Sequence, residues 1–304
     1  MNAVLVFPGQ GSQRTGMLDD IPEVEALDRL LDAAEALTKR DLRRLQREGT
    51  PAELADTRVA QPLLYLADWA WGSVLLDVGV RPVAVAGHSL GELAALAVAG
   101  VYSVEAGLEL VCERARMMAD AVAGSPGSMS AVLGLDGQAV ADVVHGIDGV
   151  WLANDNAPGQ VVISGLREAV AEAGDALLSA GARRVVPLDV AGAFHSPVLQ
   201  KAADAFSDVL DSAEFCDATF PVLQNTRPEP ATEADEIRAA LATQMSSPVR
   251  WTETMHSCTR YAPVTLIEAG PGSVLRGLAK RVDGINAVSI DDAGVQAVVE
   301  EVLR

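Results

Sequence analysis

Short apolar runs separated by longer amphipathic stretches set the pattern of this chain. Val4–Phe7, the run from Val83 to Gly87, Phe220–Leu223, Val264–Glu268 and Ala287–Ile290 read as short strands. Helical patterning covers Pro22–Leu45, Gln61–Leu76, the segment after Gly91, Val104–Val122, Ala234–Met245, Trp251–Cys258, the residues up to Lys280, and Val295–Leu303. Asp56 and Thr57 stand shortly before the second helix as capping residues. Ser196-Pro197 has the form of an N-cap followed by proline, opening a helix to about Leu210. Strands alternating with helices imply a mainly parallel sheet with helices on both faces, an α/β fold.

From Ser128 the rhythm changes. Met129–Leu133, Val150–Ala153, Gln160–Ser164 and Arg184–Leu188 read as strands, with helices at Gln138–Val144 and Leu166–Ala180. The polar stretch Asn154–Gly159 reads as a loop joining the second and third of these strands. The order β-α-β-β-α-β is that of a ferredoxin-like unit. The expected organisation is a core of residues 1–127 and 191–304 carrying an inserted small subdomain, residues 128–190.

Composition narrows the function. The chain has 304 residues, 49% of them apolar and 21% charged, with a net charge of −19. That describes a globular chain with a large core, and it disfavours nucleic acid and anionic membranes as partners. Cys112, Cys216 and Cys258 are odd in number and far apart, with neither a metal spacing nor a disulfide framework, as in a reducing cytoplasm. The N-terminus lacks a basic lead and is not read as a signal peptide; charged and polar residues interrupt the longest apolar region, which argues against a membrane span.

The most informative stretch is Gly87-His88-Ser89-Leu90-Gly91-Glu92, a G-x-S-x-G between an apparent strand and helix. This is the pattern of a nucleophile elbow, in which a sharp turn lifts a serine hydroxyl clear of the sheet. The amide of Leu90 opens the next helix, so its N–H is left for an oxyanion. Pro8-Gly9-Gln10-Gly11-Ser12-Gln13 is a Gly-rich loop that can turn backbone N–H groups toward one anion. Serine needs a base. Of His88, His145, His195 and His256, His195 is favoured, because it stands in a loop just before a helix. No carboxylate stands out as the residue that would orient it, and a backbone carbonyl can do the same work. Arg114 sits on an otherwise apolar helix face, where it either binds an anionic substrate group or pairs with an acid such as Glu113.

Phe7–Gln13, Gly87–Glu92, Asn156–Gln160, Gly192-Ala193-Phe194-His195-Ser196 and Gln244–Trp251 together, in this order, resemble the malonyl-CoA:acyl carrier protein transacylases. The resemblance spans nearly the whole chain. It implies an α/β-hydrolase-like core with a ferredoxin-like insert and malonyl transfer through a malonyl-serine. Ser89 matches the nucleophile, His195 the base, and the Gln10 and Leu90 amides the oxyanion hole. Arg114 matches the arginine holding the malonyl carboxylate. Gln244 matches the residue whose carbonyl orients the histidine, and Phe194 a bulky residue that leaves no room for an α-methyl group. Gln10, Met118, Phe194, Asn156 and Gln244 complete the expected substrate lining. Malonyl-CoA and an acyl carrier protein are the expected partners. No cofactor or metal is expected, since coenzyme A arrives as a substrate and phosphopantetheine is carried by the partner. Arg276, Lys280 and Arg281 are candidates for docking the acidic carrier, and a monomer is the expected state. Leu18 and Ala115 stand where the family commonly has glycine. The short segment Met17–Pro22 resembles the transacylase subunit of malonate decarboxylase, an alternative pathway for the same reaction. A serine hydrolase or thioesterase is the alternative from another class.

Overall fold

The computed structural model describes residues 2–22, 24–124, 127–190 and 192–302. Position 191, the expected start of the second core segment, lies outside them, as do Glu23 in the first predicted helix and Leu303 at the end of the last.

A five-stranded sheet forms the centre of the molecule. Its strands are β1 (Asn2–Phe7), β2 (Ala84–Gly87), β7 (Val222–Leu223), β8 (Val264–Glu268) and β9 (Ile285–Ser289), in the order β7-β2-β1-β8-β9 with every neighbour parallel. Val4, Leu5, Val6 and Phe7 are all buried, as expected of a strand covered on both faces. One face packs on α4 (Thr57–Asp77), α5 (Leu90–Val98) and α6 (Val104–Ala123) through a large cluster that includes Leu5, Phe7, Leu63 and Leu93. The other carries α11 (Trp251–Cys258) and α12 (Val274–Ala279), around Val4, Val6, Trp251 and Leu275.

The second sheet is antiparallel, in the order β4-β5-β3-β6, built from β3 (Gly127–Leu133), β4 (Val150–Ala157), β5 (Gln160–Leu166) and β6 (Arg184–Pro187). With α7 (Gly137–Val144) and α8 (Arg167–Ser179) it is the expected β-α-β-β-α-β unit, with its own core of Val132, Val140, Ile163 and Leu177. The molecule is thus an α/β-hydrolase-like core with a ferredoxin-like insert. Among the described residues, no helix is long and apolar enough to cross a membrane.

Local differences from the sequence reading have local causes. The first predicted helix is two: α1 (Leu27–Thr38) stops at a left-handed Lys39, and α2 (Leu42–Glu48) restarts at Asp41, whose carboxylate caps the Arg44 amide. Asp56 caps α4 through the Arg58 amide, so Thr57 is already helical. Asn154–Ala157 is strand rather than loop: pairing with β5 and with Val249 overrides the turn preference of Asn and Asp, leaving Pro158-Gly159 as the turn. Ser196 does not cap a helix. Its hydroxyl donates to the Ala193 carbonyl, a 3₁₀ turn covers Pro197–Leu199, and the helix itself spans Gln200–Ser212.

Candidate active site

The turn between β2 and α5 is folded tightly enough that only glycine fits on either side of Ser89. A Cβ at Gly87 would fall 2.0 Å from the Gly91 carbonyl carbon, and one at Gly91 2.0 Å from the Phe7 oxygen. These close approaches press the elbow against the end of β1, and Gly9 lies against the His88 carbonyl. Ser89 holds φ 52° and ψ −105°, a strained conformation for a residue with a side chain.

The strain is held by a buried network. Asn225, just past β7, accepts from the Ser89 amide at 2.7 Å and donates to the Gly87 carbonyl at 2.6 Å. Asn225 is held in turn by Glu92, fully buried on α5, which accepts from the Asn225 amide at 2.7 Å and the Gln224 side chain at 3.2 Å. Burial pushes the Glu92 carboxyl up from its ordinary range, and these hydrogen bonds oppose that.

His195 meets Ser89 across 106 positions of chain. Its Nε2 lies 2.7 Å from Ser89 Oγ, and its Nδ1 faces the carbonyls of Gln244 at 3.1 Å and Ser247 at 3.2 Å. Carbonyls only accept, so Nδ1 carries the proton and Nε2 is left to accept from the Ser89 hydroxyl. Backbone oxygens hold this tautomer without a carboxylate. Burial, then the positive charge of Arg114, then His88, bring the His195 pKa down to about 3. The imidazole is therefore neutral and ready to take a proton at ordinary pH.

Arg114 is fully buried, and the surface alternative fails: it is Arg116 that pairs with Glu113. The Arg114 guanidinium donates to Gln61 Oε1 and Gln244 Oε1, each at 2.8 Å, and to Ser89 Oγ at 3.2 Å. Among the described residues it has no ion-pair partner, and its Nε has no acceptor. Burial lowers its pKa to about 10, so it remains charged at neutral pH. Gln61 also donates to Gln10 Oε1 at 2.9 Å, and Gln244 Nε2 to the Ser89 carbonyl at 2.9 Å.

A cavity of about 370 Å³ opens over Ser89 between the two sheets. Gln10, Met118, Asn156, Phe194 and His195 line it; Gln244, expected in the lining as well, is not among the lining residues and bears on the site through Arg114, His195 and the Ser89 carbonyl. The amides of Gln10 and Leu90 make no hydrogen bond with any described residue, which leaves both for an oxyanion. Asn156 differs from expectation in one respect: its Oδ1 is 2.8 Å from His88 Nε2, so it already has a protein partner. The three docking candidates are not equivalent either. Arg276 is paired with Asp292 at 2.9 Å, whereas Lys280 and Arg281 are exposed just beyond α12.

Sequence reasoning missed Gln61, Asn225 and the role of Glu92. The glutamate had a signal, a lone charge within the apolar Leu90–Val98 helix. The two amides had none.

This geometry agrees with what the chain resembles. A family described as acyl transferase domain matches residues 4–299. The malonyl CoA-acyl carrier protein transacylase of Bacillus subtilis is 39% identical over 293 residues, covering 94% of this chain and 92% of that protein. That of Synechocystis is 41% identical over 282 residues, covering 92% and 94%. A malonyl-transacylase solved in complex with its type II polyketide acyl-carrier protein superposes with a TM-score of 0.93 at 38% identity, covering 99% of this chain and all of that one. The chain is an acyltransferase and belongs to the malonyl-CoA:acyl carrier protein transacylase family.

Proposed function

We propose that this enzyme moves a malonyl group from malonyl-CoA to the phosphopantetheine thiol of an acyl carrier protein, for fatty acid or polyketide synthesis. The observation that carries the reading is Arg114, an unneutralised buried guanidinium 3.2 Å from the hydroxyl that also hydrogen-bonds His195. A carboxylate at the far end of a short acyl group satisfies that charge while its thioester carbon stands over Ser89.

Ser89 Oγ attacks the thioester carbon as His195 Nε2 takes the hydroxyl proton. The oxyanion rests on the Gln10 and Leu90 amides. Collapse breaks the carbon–sulfur bond, and the His195 proton goes to the departing coenzyme A thiolate. In the second half, His195 takes the proton of the carrier thiol, the thiolate attacks malonyl-Ser89, and the proton returns to Ser89 Oγ. Gln244 orients both His195 and Arg114. Met118 and Phe194 bound the acyl group, and Gln10 and Asn156 complete its surroundings. No cofactor enters these steps. Lys280 and Arg281 are the proposed carrier contacts, and the solved complex of a related enzyme with its carrier protein supports a carrier as acceptor. The enzyme is read as a cytoplasmic monomer, with residues 128–190 closing the cleft over the core.

Labelled malonyl-CoA without a carrier should leave one malonyl group on the Ser89 peptide, discharged by added carrier protein. Label on a peptide lacking Ser89 would refute this mechanism. Steady release of free malonate would favour the hydrolase reading.

A further inference from the structure

The loop that carries the Gln10 amide contains two glycines, one of them, Gly11, at φ 108°. Such a loop has conformational freedom that must be frozen if the amide is to keep its aim. Two internal hydrogen bonds stiffen it: the Ser12 amide donates to the Gly9 carbonyl at 3.2 Å, and the Gly11 amide to Gln13 Oε1 at 2.7 Å. At its start, Gly9 is pressed against the His88 carbonyl. At its end, Arg14 donates from Nε at 3.2 Å and from a terminal nitrogen at 2.5 Å to the two oxygens of Asp291, 277 residues away.

Asp291 stands in the first turn of the last helix, Ile290–Val302. It does more than pair with Arg14. Its Oδ2 also accepts from the Gly272 amide at 2.8 Å, while Ser289 donates to the Gly272 carbonyl at 2.6 Å. Gly272 lies beside the loop, because a Cβ there would meet Ser12 Cβ and Ser12 O at 3.8 Å. One carboxylate therefore joins two segments that both border the cavity, residues 9–13 and the approach to Val274 and Leu275. An exposed ion pair would carry little meaning. Here the Asp291 side chain is only 16% exposed, and the fork of two hydrogen bonds fixes direction as well as distance. The other acid on Arg14, Asp20 at 2.7 Å, is a surface residue.

We propose that Asp291 is a positioning residue for the oxyanion hole: by clamping Arg14 and Gly272 it holds the Gly9–Gln13 loop so that the Gln10 amide faces the oxyanion. This rests on the reading of that amide as an oxyanion donor to Ser89 chemistry. The last helix then contributes to acylation without touching the substrate.

The test follows malonyl-Ser89 formation from excess labelled malonyl-CoA, before steady state, in wild type, Asp291→Ala, Asp291→Asn, Arg14→Ala and the double variant Arg14→Ala with Asp291→Ala. Final label per chain gives the competent fraction and corrects for partial unfolding. Asp291→Ala should lower the maximal acylation rate by about tenfold or more, short of the roughly 10²- to 10³-fold cost of deleting an oxyanion donor. The half-saturating malonyl-CoA concentration should change by less than about twofold, because Arg114 is untouched. Asp291→Asn, which keeps an acceptor for Gly272, should lose less, and so should Arg14→Ala; these two milder variants carry the same comparison should Asp291→Ala not fold. The double variant should be no slower than Asp291→Ala, since one contact is not lost twice. An unchanged rate in the Asp291 variants, a loss confined to the half-saturating concentration, or losses that multiply in the double variant would each overturn the assignment. Failure of wild type to form malonyl-Ser89 would instead overturn the acyl-transfer reading, and this inference with it.

Discussion

Arg114→Ala separates recognition from chemistry in a way the structure lets one scale. On the proposed reading, a malonyl carboxylate taken by this guanidinium would form two charge-assisted hydrogen bonds in a dry site. At about 1.5–3 kcal/mol each, their loss amounts to about 3–6 kcal/mol, or roughly 10²- to 10⁴-fold in kcat/KM for malonyl-CoA. Acetyl-CoA has no carboxylate to lose. For it the substitution removes the 3.2 Å hydrogen bond that Arg114 donates to Ser89 Oγ and a positive charge that holds the His195 pKa down. Acetyl transfer should therefore be unchanged or faster. The assay is acyl-enzyme formation from each labelled thioester under single-turnover conditions. Thermal unfolding serves as a control, and little loss is expected, because the variant no longer holds a desolvated cation with an orphaned Nε. A fall of the same factor for malonyl and acetyl groups would show that Arg114 acts through the shape of the site, and the reasoning would be wrong.

Other consequences follow from the same geometry. Because Ser89 has φ 52°, Ser89→Gly should be more stable than Ser89→Ala by about 1 kcal/mol in chemical denaturation, both being inactive; equal stabilities would mean the elbow carries no strain. With His195 at about 3, kcat/KM for acylation should show no acid limb between about pH 5 and 8, and an inflection near 6.5 would contradict the burial argument. Burial raises Glu268 to about 7 from an ordinary 4.5, so the folded state holds a proton that the unfolded state releases. That contribution is complete below about pH 4.5 and is lost as pH rises through 7; Glu268→Gln should flatten this decline in a pH series of unfolding midpoints. Charge reversal at Lys280 and Arg281 should raise KM for the carrier protein with kcat unchanged, whereas an unchanged KM would move the docking surface elsewhere.

What the sequence reveals, and what it hides, divides by range of interaction. The elbow is legible because its parts are adjacent: strand, glycine, serine, glycine and helix occupy one stretch. His195 is legible because the chain offers few alternatives. Arg114 remains open in the sequence, since an arginine on an apolar helix face fits both a buried site and a surface pair with Glu113. Only Gln61 and Gln244, 53 residues before it and 130 after it, decide the matter. Asn225 is harder still, because an asparagine beside a strand reads as a turn and its role exists only through Glu92 and Ser89. The Asn154–Gly159 stretch shows the converse, in which turn-forming residues are drawn into a strand by long-range pairing. The reasoning that singles out Arg114, a lone charge in an apolar segment, applies equally to Glu92, and to Asp68 in α4 and Glu268 in β8, both also buried.

The partners of Arg114 explain why one charge can serve two purposes. Its acceptors are neutral carboxamides and a hydroxyl, and no described carboxylate lies within ion-pair distance. A resident acid would have paid the desolvation cost in advance, but it would also have competed with a malonyl carboxylate for the guanidinium. Glu92, the acid whose charge most favours ionised Arg114, is instead turned toward Asn225 and Gln224. The free site thus carries an unbalanced positive charge, which adds to burial in keeping His195 neutral. On the proposed reading, a substrate carboxylate would supply the missing counter-charge, and in doing so would relieve His195 of the nearby positive field just as it must take the Ser89 proton. On that reading, selection of the acyl group and the added basicity of His195 would be two effects of the same counter-charge, and a neutral acyl group would provide neither.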